Sequence, residues 1–202
     1  MLVPALKLAR YLEQKPDEQS DPLVVSPLPD LEGLKTGGAS IDLRLGTWFV
    51  TMKARRMALL DIYDDDSAAP DESELTSKYY IPFGEKFILH PKSFVLAVTL
   101  EWLRMPLGLA GMVTGKSSWG RRGLVIETAP GVHPGFNGCL TLELTNVGEV
   151  PIAISPGTEI CQLFVHQLET SVSDTPKSKF FGQRQPMLSK IVPDDFAKNL
   201  MQ

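Results

Sequence analysis

The chain has 202 residues, 43% of them apolar, which is enough to bury the core of one domain with short extensions. Its formal net charge of −4 argues against a protein that coats nucleic acid, because such proteins usually carry a basic face. No apolar run approaches the roughly 18 residues that a membrane span needs. Residues 1–15 carry charges within an apolar pattern and lack a small-residue cleavage site, so no secretion signal is expected. Cys139 and Cys161 lie in strand-like stretches and are predicted to be reduced thiols of a cytoplasmic protein.

The first third of the chain changes its apolar spacing near residue 39. Residues 5–14 repeat apolar side chains at helical spacing, which predicts a helix. Residues 16–38 are rich in Pro, Gly, Asp and Ser and are predicted to form an extended loop. From residue 39 the spacing becomes two, which indicates a strand. Residues 61–78 are acidic and poor in large apolar groups, so they are predicted to form a solvated surface segment.

Short strand candidates separated by Gly and Pro turns then follow one another as far as residue 168. This pattern is typical of an all-β barrel or sandwich. We therefore expect one β domain with an N-terminal helix over 1–168 and a polar C-terminal tail over 169–202. The predicted strands are 79–83, 86–89, 93–100, 109–114, 123–128, 138–145, 151–155 and 159–167.

A cluster of small, hydroxyl and cationic residues follows the predicted strand 109–114. Gly115, Lys116, Ser117 and Ser118 are followed one helical turn later by further cations, including Arg121. Backbone amides at a helix start, hydroxyl donors and cations all favour phosphate. The spacing is not that of a Walker P-loop, because only three residues separate Gly111 from Gly115. The same residues also fit an ordinary turn with surface cations.

A carboxylate interrupts the most regular of the predicted strands. Alternation places Glu143 on one face with Cys139 and Thr141, and three leucines on the other. A carboxylate in a central strand is costly unless it is paired or used, and an apolar neighbourhood would suit it to shuttle protons. If that face points to solvent, Glu143 is merely an exposed strand residue.

Residues 128–136 contain a histidine and an aromatic residue and are predicted to form a tight Gly/Pro hairpin. A lone histidine in such a turn, here His133, is usually structural or solvated. The chain has only three His and two Cys residues, and their spacing does not match a zinc site. No zinc is therefore expected, and a Gly-x-Ser-x-Gly nucleophile elbow is also absent.

Several short motifs occur in a fixed order over residues 30–190. They are 38–46 (GASIDLRLG), 89–101, 115–118 (GKSS), 121–124, 134–138 with 142–143, 156–163 and 179–184. Together they resemble the dCTP deaminase branch of the dCTP deaminase/trimeric dUTPase superfamily. The resemblance implies a homotrimer of distorted, jelly-roll-type β-barrel subunits, with active sites at the subunit interfaces and a mobile tail that closes over the nucleotide. As the net charge and the apolar pattern indicate, we expect no nucleic-acid or membrane partner.

The resemblance also implies a division of labour among residues. Glu143 matches the general acid/base that activates a water for attack on C4 of cytosine. Ser117 and Arg121 match residues that position that water and the leaving amino group, with Arg121 supplied by the neighbouring subunit. Asp42 matches a position that helps to place the Mg²⁺-bound triphosphate through water. The positions that match substrate-binding residues are Lys116, Ser118, Thr128, Ala129, His133, Phe136, Gln162, Lys179 and Gln183.

This mechanism agrees with the residues that are present. Zinc deaminases use the metal to acidify water and carry a signature that this chain lacks. Attack on C4 would instead need a tuned carboxylate, an oriented water and exclusion of bulk solvent. The expected reaction is hydrolysis of dCTP to dUTP and ammonia, in pyrimidine deoxynucleotide biosynthesis.

Three departures from the family pattern keep alternatives open. His133 replaces an aspartate that serves as the base of phosphoanhydride hydrolysis in dUTPases and helps to hold the sugar in deaminases. The stretch between Arg121 and Thr128 is one residue shorter than usual, and Phe180-Phe181 stands where tyrosine is common. The alternatives are a dUTPase, a bifunctional dCTP deaminase/dUTPase, and a catalytically reduced nucleotide sensor on the same scaffold.

Overall fold

The computed structural model describes residues 1–14, 20–53, 75–126, 129–173 and 180–188. Its helices are α1 (Ala5–Glu13), α2 (Leu31–Thr36) and α3 (Ser117–Gly120). Its strands are β1 (Val24–Ser26), β2 (Ser40–Met52), β3 (Thr76–Tyr80), β4 (Phe87–Leu89), β5 (Phe94–Arg104), β6 (Leu109–Gly115), β7 (Leu124–Ile126), β8 (Gly131–Val132), β9 (Asn137–Asn146), β10 (Ile152–Ile154) and β11 (Glu159–Gln167).

The main sheet is antiparallel and curls into a distorted barrel. Its strand order is β7-β9-β5-β2-β11-β6-β8, with β1 added to β5 and β3 added to β2. Strand β6 and helix α3 contact β7, so the two ends of this order approach each other. A second sheet of β4 and β10 packs on the first, where the rings of Phe87 and Phe49 stack 4.6 Å apart. The predicted mainly β, barrel-like fold is confirmed.

The core lies inside the curl of the main sheet. Alternate residues of β2 and β9 point into it, among them Ile41, Leu43, Leu142 and Leu144, and each has no exposed surface. Full burial of such a side chain contributes about 1.5–3 kcal/mol. The register of the long strands is therefore strongly specified, since a slip of one residue would expose the entire apolar set.

Helix α1 covers one end of the barrel with its apolar face. The predicted helix over 5–14 is confirmed and ends at Glu13. Its buried residues are Ala5, Leu8, Ala9 and Leu12, which lie at the i, i+3, i+4 and i+7 positions of one helix face. The segment before the helix is tied to the sheet, because the Val3 amide donates to the Val165 carbonyl oxygen over 2.8 Å.

The prediction of an extended loop over residues 16–38 is wrong, because this stretch contains β1 and α2. The six-residue helix is too short to show a periodic signal, but it has an N-cap, where the Glu32 amide donates to Asp30 Oδ1 over 3.2 Å. Only Leu34 of this helix is buried. Strand β1 has three residues and pairs with the edge of β5.

Two further features, one strand boundary and one strand pairing, differ from the predictions. The strand predicted at 79–83 begins at Thr76 and ends at Tyr80, because it pairs with the end of β2, so the last residues of the predicted acidic segment are in a sheet. Residues 61–74 of that segment lie outside the described residues. The turn near residue 133 was predicted to form a hairpin, but the two strands that flank it do not pair with each other. Strand β8 pairs with β6, whereas β9 pairs with β5 and β7.

Residues 180–188 of the C-terminal tail contact β9 along the part of its edge that β7 leaves uncovered. The Gly182 amide donates to the Asn137 carbonyl oxygen, and the Cys139 amide donates to the Gln183 carbonyl oxygen, each over 2.8 Å. The Gln183 side chain is buried and donates to Thr141 Oγ1 over 2.7 Å. The mobility of the tail and its division from the domain at residue 168 stay predictions.

This contact depends on a glycine. Gly138 has a φ of +151°, and a Cβ atom at this position would lie 3.1 Å from the Gln183 carbonyl oxygen and 3.2 Å from the Gln183 amide nitrogen. A side chain there would therefore meet the backbone of the tail at a distance that it cannot tolerate without movement.

No helix among the described residues has the length and apolar character that a bilayer crossing requires. Cys139 is half-buried and Cys161 is buried, and both are free thiols.

We predict that Gly138→Ala separates the tail from β9. The substitution should lower the free energy of unfolding by about 1–3 kcal/mol, because it adds backbone strain and a backbone contact. It should also speed hydrogen exchange at the Cys139 amide, which urea denaturation and exchange mass spectrometry would test. Gly38→Ala is the control, since a Cβ atom added there would have no other atom within 4 Å and the φ of Gly38 is not positive. Equal exchange in both variants would contradict the prediction.

Candidate active site

The turn after β6 is held close to two neighbouring strands. Lys116 follows β6 directly, and its amide donates to the Ile160 carbonyl oxygen of β11 over 3.0 Å. Gly115 lies beside β7, where a Cβ atom would come within 3.5 Å of Ile126. Helix α3 then begins at Ser117 and packs on β7. The backbone of the predicted phosphate-binding segment is therefore fixed on both sides.

The ammonium group of Lys116 is held by two carboxylates. Its Nζ atom lies 2.7 Å from Asp42 Oδ2 and 2.7 Å from Glu159 Oε2. Burial works against the charged form of Lys116, but the hydrogen bonds to the two carboxylates raise its pKa on balance. Lys116 is therefore a stable cation in the pH range where an enzyme works.

Strand pairing explains why residues so distant in sequence meet here. Gln162 of β11 lies opposite Asp42 of β2 and, on its other side, opposite Thr114 of β6. The Gln162 Nε2 atom donates to Asp42 Oδ1 over 3.1 Å. The structure thus brings together three of the residues that the sequence motifs selected, namely Asp42, Lys116 and Gln162.

The hydroxyl and guanidinium groups of the turn face solvent. Ser117, Ser118 and Arg121 are exposed, and their side chains make no hydrogen bond or ion pair with another described residue. The next residue, Arg122, instead folds back and donates to the Ser118 carbonyl oxygen over 2.7 Å. Three side chains at this turn are therefore available to a ligand or to a second subunit.

Glu143 lies on the polar face of β9, as its position in the alternating pattern predicts. It is half-buried between the fully buried Leu142 and Leu144, and it lies opposite Leu96 of β5. The residue after it begins the pairing with β7, which also contacts α3 and β6. Strand β7 thus connects the turn of Ser117 to the strand of Glu143.

The end of β9 beyond Glu143 is anchored by a buried asparagine. The Asn146 Nδ2 atom donates to the Leu89 and Val150 carbonyl oxygens over 3.0 and 2.9 Å. Its Oδ1 atom accepts from the Gly148 amide over 2.9 Å. All polar atoms of this side chain are therefore satisfied, which fixes the register of β9 beside Glu143.

The remaining predicted substrate-binding residues that the structure describes lie on either side of β8, just before β9 and in the tail. Ala129 and His133 are exposed, whereas Phe136 packs against the core and accepts a hydrogen bond from the Met105 amide through its carbonyl oxygen over 2.8 Å. Gln183 belongs to the tail, and its side chain contacts Thr141 of β9. Thr128 and Lys179 lie outside the described residues.

Two acidic residues near the site were not identified from the sequence. Glu159 contacts Lys116, and Glu101 is 1% exposed and accepts a hydrogen bond from the Arg44 amide over 2.8 Å. Its Oε1 atom lies 3.4 Å from Arg44 Nε but forms no hydrogen bond within the described part of the chain. Burial raises the pKa of Glu101, although its hydrogen bonds and the charge of Arg44 oppose the rise. The alternation of β5 marks Glu101 as unusual, but its partner on β2 is visible only in the fold.

The described residues contain no group of three or more His, Cys, Asp or Glu side chains close enough to hold a metal ion.

Comparison with known proteins identifies the family of the chain. A family model described as dCTP deaminase-like matches residues 10–168. The chain belongs to the dCTP deaminase-like family. The predicted membership is confirmed, and so is the expectation of a hydrolytic deaminase family rather than a non-enzymatic one.

The curated relatives share about a third of their residues with the chain. A protein of Methanobrevibacter smithii named "dCTP deaminase, dUMP-forming" is 36% identical over 85% of the chain and 89% of its own length. One of Corynebacterium glutamicum with the same name is 40% identical over 75% of the chain and 80% of the relative. A "dCTP deaminase" of Natronomonas pharaonis is 36% identical over 85% of the chain and 88% of its own length.

Solved structures agree on the fold. The 2'-deoxycytidine 5'-triphosphate deaminase of Agrobacterium tumefaciens superposes with a TM-score of 0.58 over 81% of the chain, at 16% identity. The chain spans 47% of that longer protein. At this identity the likeness concerns the fold alone.

We predict a pH-dependent effect of Glu101→Gln on stability. Because the pKa of Glu101 is raised in the folded protein, folding favours its protonated form. Wild-type stability relative to the variant should therefore fall as the pH rises above the ordinary glutamate pKa of about 4.3, until Glu101 is ionised in the folded state too. Urea denaturation of both proteins between pH 4.5 and 8 measures this difference. A difference that stays constant across that range would contradict the prediction.

Proposed function

We propose that the chain hydrolyses the amino group of dCTP, with Glu143 as general acid and base. The observation that carries the proposal is the position of Glu143, a half-buried carboxylate on the polar face of a central strand in a chain of the dCTP deaminase-like family. The names of the relatives support dCTP as the substrate. A carboxylate flanked by apolar strand residues is suited to transfer protons near neutral pH.

The chemical step needs only a carboxylate and an oriented water. Glu143 takes a proton from water while the oxygen attacks C4 of cytosine, and it passes that proton to N3 of the ring. Glu143 then takes the proton of the new C4 hydroxyl group and delivers it to the amino group, so that the C4–N bond breaks, ammonia leaves and the C4 carbonyl forms. Ser117 and Arg121 hold the water and the leaving group, and their side chains, which have no partner among the described residues, are available for this role.

The other end of the site binds the triphosphate. Lys116 supplies a permanent positive charge, and Ser118 supplies a hydroxyl donor on the adjacent turn. Each oxygen of Asp42 accepts one hydrogen bond, and the side chain remains 37% exposed, so further lone pairs reach solvent. This donor set fits Mg²⁺ held mainly by the phosphates and reached by Asp42 through water. The ion would neutralise phosphate charge.

Further contacts would complete the binding of the nucleotide. Ala129, His133 and Phe136, with Thr128, would border the base and the sugar, and Gln162 would contact the ligand beside Asp42. Lys179 and Gln183 would close the tail over it. Exclusion of bulk water by the tail would protect the oriented water from competition.

The names of the relatives change the expected product. Two of the three relatives above are named dUMP-forming, so we propose that dUTP is hydrolysed further, with water and dUTP giving dUMP and pyrophosphate. This corrects the expectation that the reaction ends at dUTP. One observation favours the shorter reaction as a second candidate, namely the exposed His133 where the superfamily carries an aspartate base.

The site is proposed to form between subunits of a homotrimer. Arg121 is exposed and makes no side-chain hydrogen bond or ion pair with another described residue, so its side chain can reach a neighbouring subunit. Sedimentation at several protein concentrations would test the oligomer, and a monomer at all of them would contradict a shared site.

The decisive assay follows ammonia, pyrophosphate and nucleotide identity with dCTP and Mg²⁺. We expect one ammonia and one pyrophosphate per dCTP, and ammonia without pyrophosphate would support dUTP as the product. Glu143→Gln should lower the rate of ammonia release by about 10²-fold or more, the loss typical of removing a general acid/base, while dCTP binding is retained. Glu149→Gln, an exposed glutamate beyond the end of β9, is the control.

Unchanged turnover in Glu143→Gln would refute the proposed role of this residue. Binding of dCTP without any turnover in the wild-type protein would instead indicate a nucleotide sensor.

A further inference from the structure

Glu159 has no role in the mechanism above, although it is one of the two carboxylates on the phosphate-binding lysine. Its Oε2 atom and Asp42 Oδ2 both lie 2.7 Å from Lys116 Nζ. One positive and two negative charges leave a net charge of −1 at the point where a triphosphate must bind. An anionic ligand therefore meets repulsion here unless one carboxylate moves away or is neutralised.

The two carboxylates are not held equally. Asp42 lies within β2 and is also bonded to Gln162 through its other oxygen. Glu159 is the first residue of β11, its side chain is 53% exposed, and Lys116 is its only side-chain partner among the described residues. Glu159 can therefore turn into solvent without leaving a buried polar group unpaired, whereas Asp42 cannot move without breaking a second bond.

The backbone around Glu159 is fixed independently of its side chain. Trp119 Nε1 donates to the Glu159 carbonyl oxygen over 3.0 Å, and the Lys116 amide donates to the Ile160 carbonyl oxygen over 3.0 Å. The preceding Thr158 carbonyl oxygen accepts from the Leu45 amide over 2.9 Å. Release of Lys116 by Glu159 thus needs a side-chain rotation and no change in the fold of the site.

We propose that Glu159 is an affinity-setting residue that occupies Lys116 until a phosphate oxygen of the nucleotide replaces it. Carboxylate and phosphate oxygens are the same kind of acceptor for an ammonium group, so one can take the place of the other. This inference rests on the proposed function, because it requires Lys116 to bind phosphate. Glu159 keeps the lysine oriented before the substrate arrives and weakens the hold of the site on any phosphate ligand, product included.

Glu159→Gln tests the inference, because glutamine keeps the length and the oxygen acceptor but removes the charge. Binding of dCTP with Mg²⁺ is measured by calorimetry in a Glu143→Gln background, so that the nucleotide is not consumed. We expect the Kd to fall by up to about fivefold, the range set by the loss of one partly exposed ion pair. Glu32→Gln is the matched control, since Glu32 forms a similar 2.8 Å pair with Lys35 away from the site, and it should leave the Kd unchanged.

A double-mutant cycle with Lys116→Met separates this role from a structural one. Lys116→Met alone should weaken dCTP binding about tenfold or more, and Glu159→Gln should then have a smaller effect, because the competition for Lys116 is gone and only the repulsion between the Glu159 charge and the ligand remains. If Glu159→Gln leaves the Kd unchanged or raises it while Lys116→Met weakens binding, the role of Glu159 is refuted and the proposed phosphate site stands. If Lys116→Met binds dCTP as tightly as its parent, the phosphate site itself is refuted.

Discussion

The alternation of β9 is the constraint on which the rest of the site depends. Leu140, Leu142 and Leu144 fill the core, so their register cannot slip by one residue without exposing all three. The same register turns Glu143 and Thr141 to the opposite face. It also leaves the edge between Asn137 and Thr141 uncovered by β7, and that edge is where the tail binds. Core packing and the placement of the proposed catalytic carboxylate are thus two consequences of one pattern.

A second set of strands forms the proposed phosphate-binding part of the site, and it does so by pairing segments that are distant in sequence. The pairing of β2, β11 and β6 carries Asp42, Gln162 and Lys116 to one point, although the chain separates the first two by more than a hundred residues. Hydrogen bonds then fix the lysine between two carboxylates, with which the proposed triphosphate ligand would have to compete. Affinity at such a site reflects the difference between two sets of charge interactions rather than the attraction of one cation for one anion.

Regular, strongly patterned segments were predictable from the sequence, and short or nonlocal features were not. The period-two spacing of residues 138–145 identified both the strand and the face that carries Glu143. Helix α2 was missed because six residues give no periodic signal, and its Asp30 cap is a weak signal within a stretch rich in Pro and Gly. The pairing of β8 with β6 was missed because turn chemistry predicts a reversal of the chain but not the partner of each strand.

The residues of the candidate site also separate into those that the sequence predicted and those that it did not. Ordered motifs selected Asp42, Lys116 and Gln162 before their contact was known, and the structure brings them together. Glu159 was missed because its relation to Lys116 depends on how β11 lies against β6, which no local pattern expresses. The buried Glu101 was missed for the same reason, since a carboxylate in an apolar strand shows that a partner is needed but not that it is Arg44.

The central proposal is that deamination needs Glu143 of one subunit and Arg121 of another. Co-expression of Arg121→Ala and Glu143→Gln subunits, each inactive alone, tests it most directly through the ammonia released from dCTP. Random mixing in a trimer places both native residues at about one site in four, so about a quarter of wild-type activity should return. Mixed trimers that stay as inactive as either parent would contradict the account.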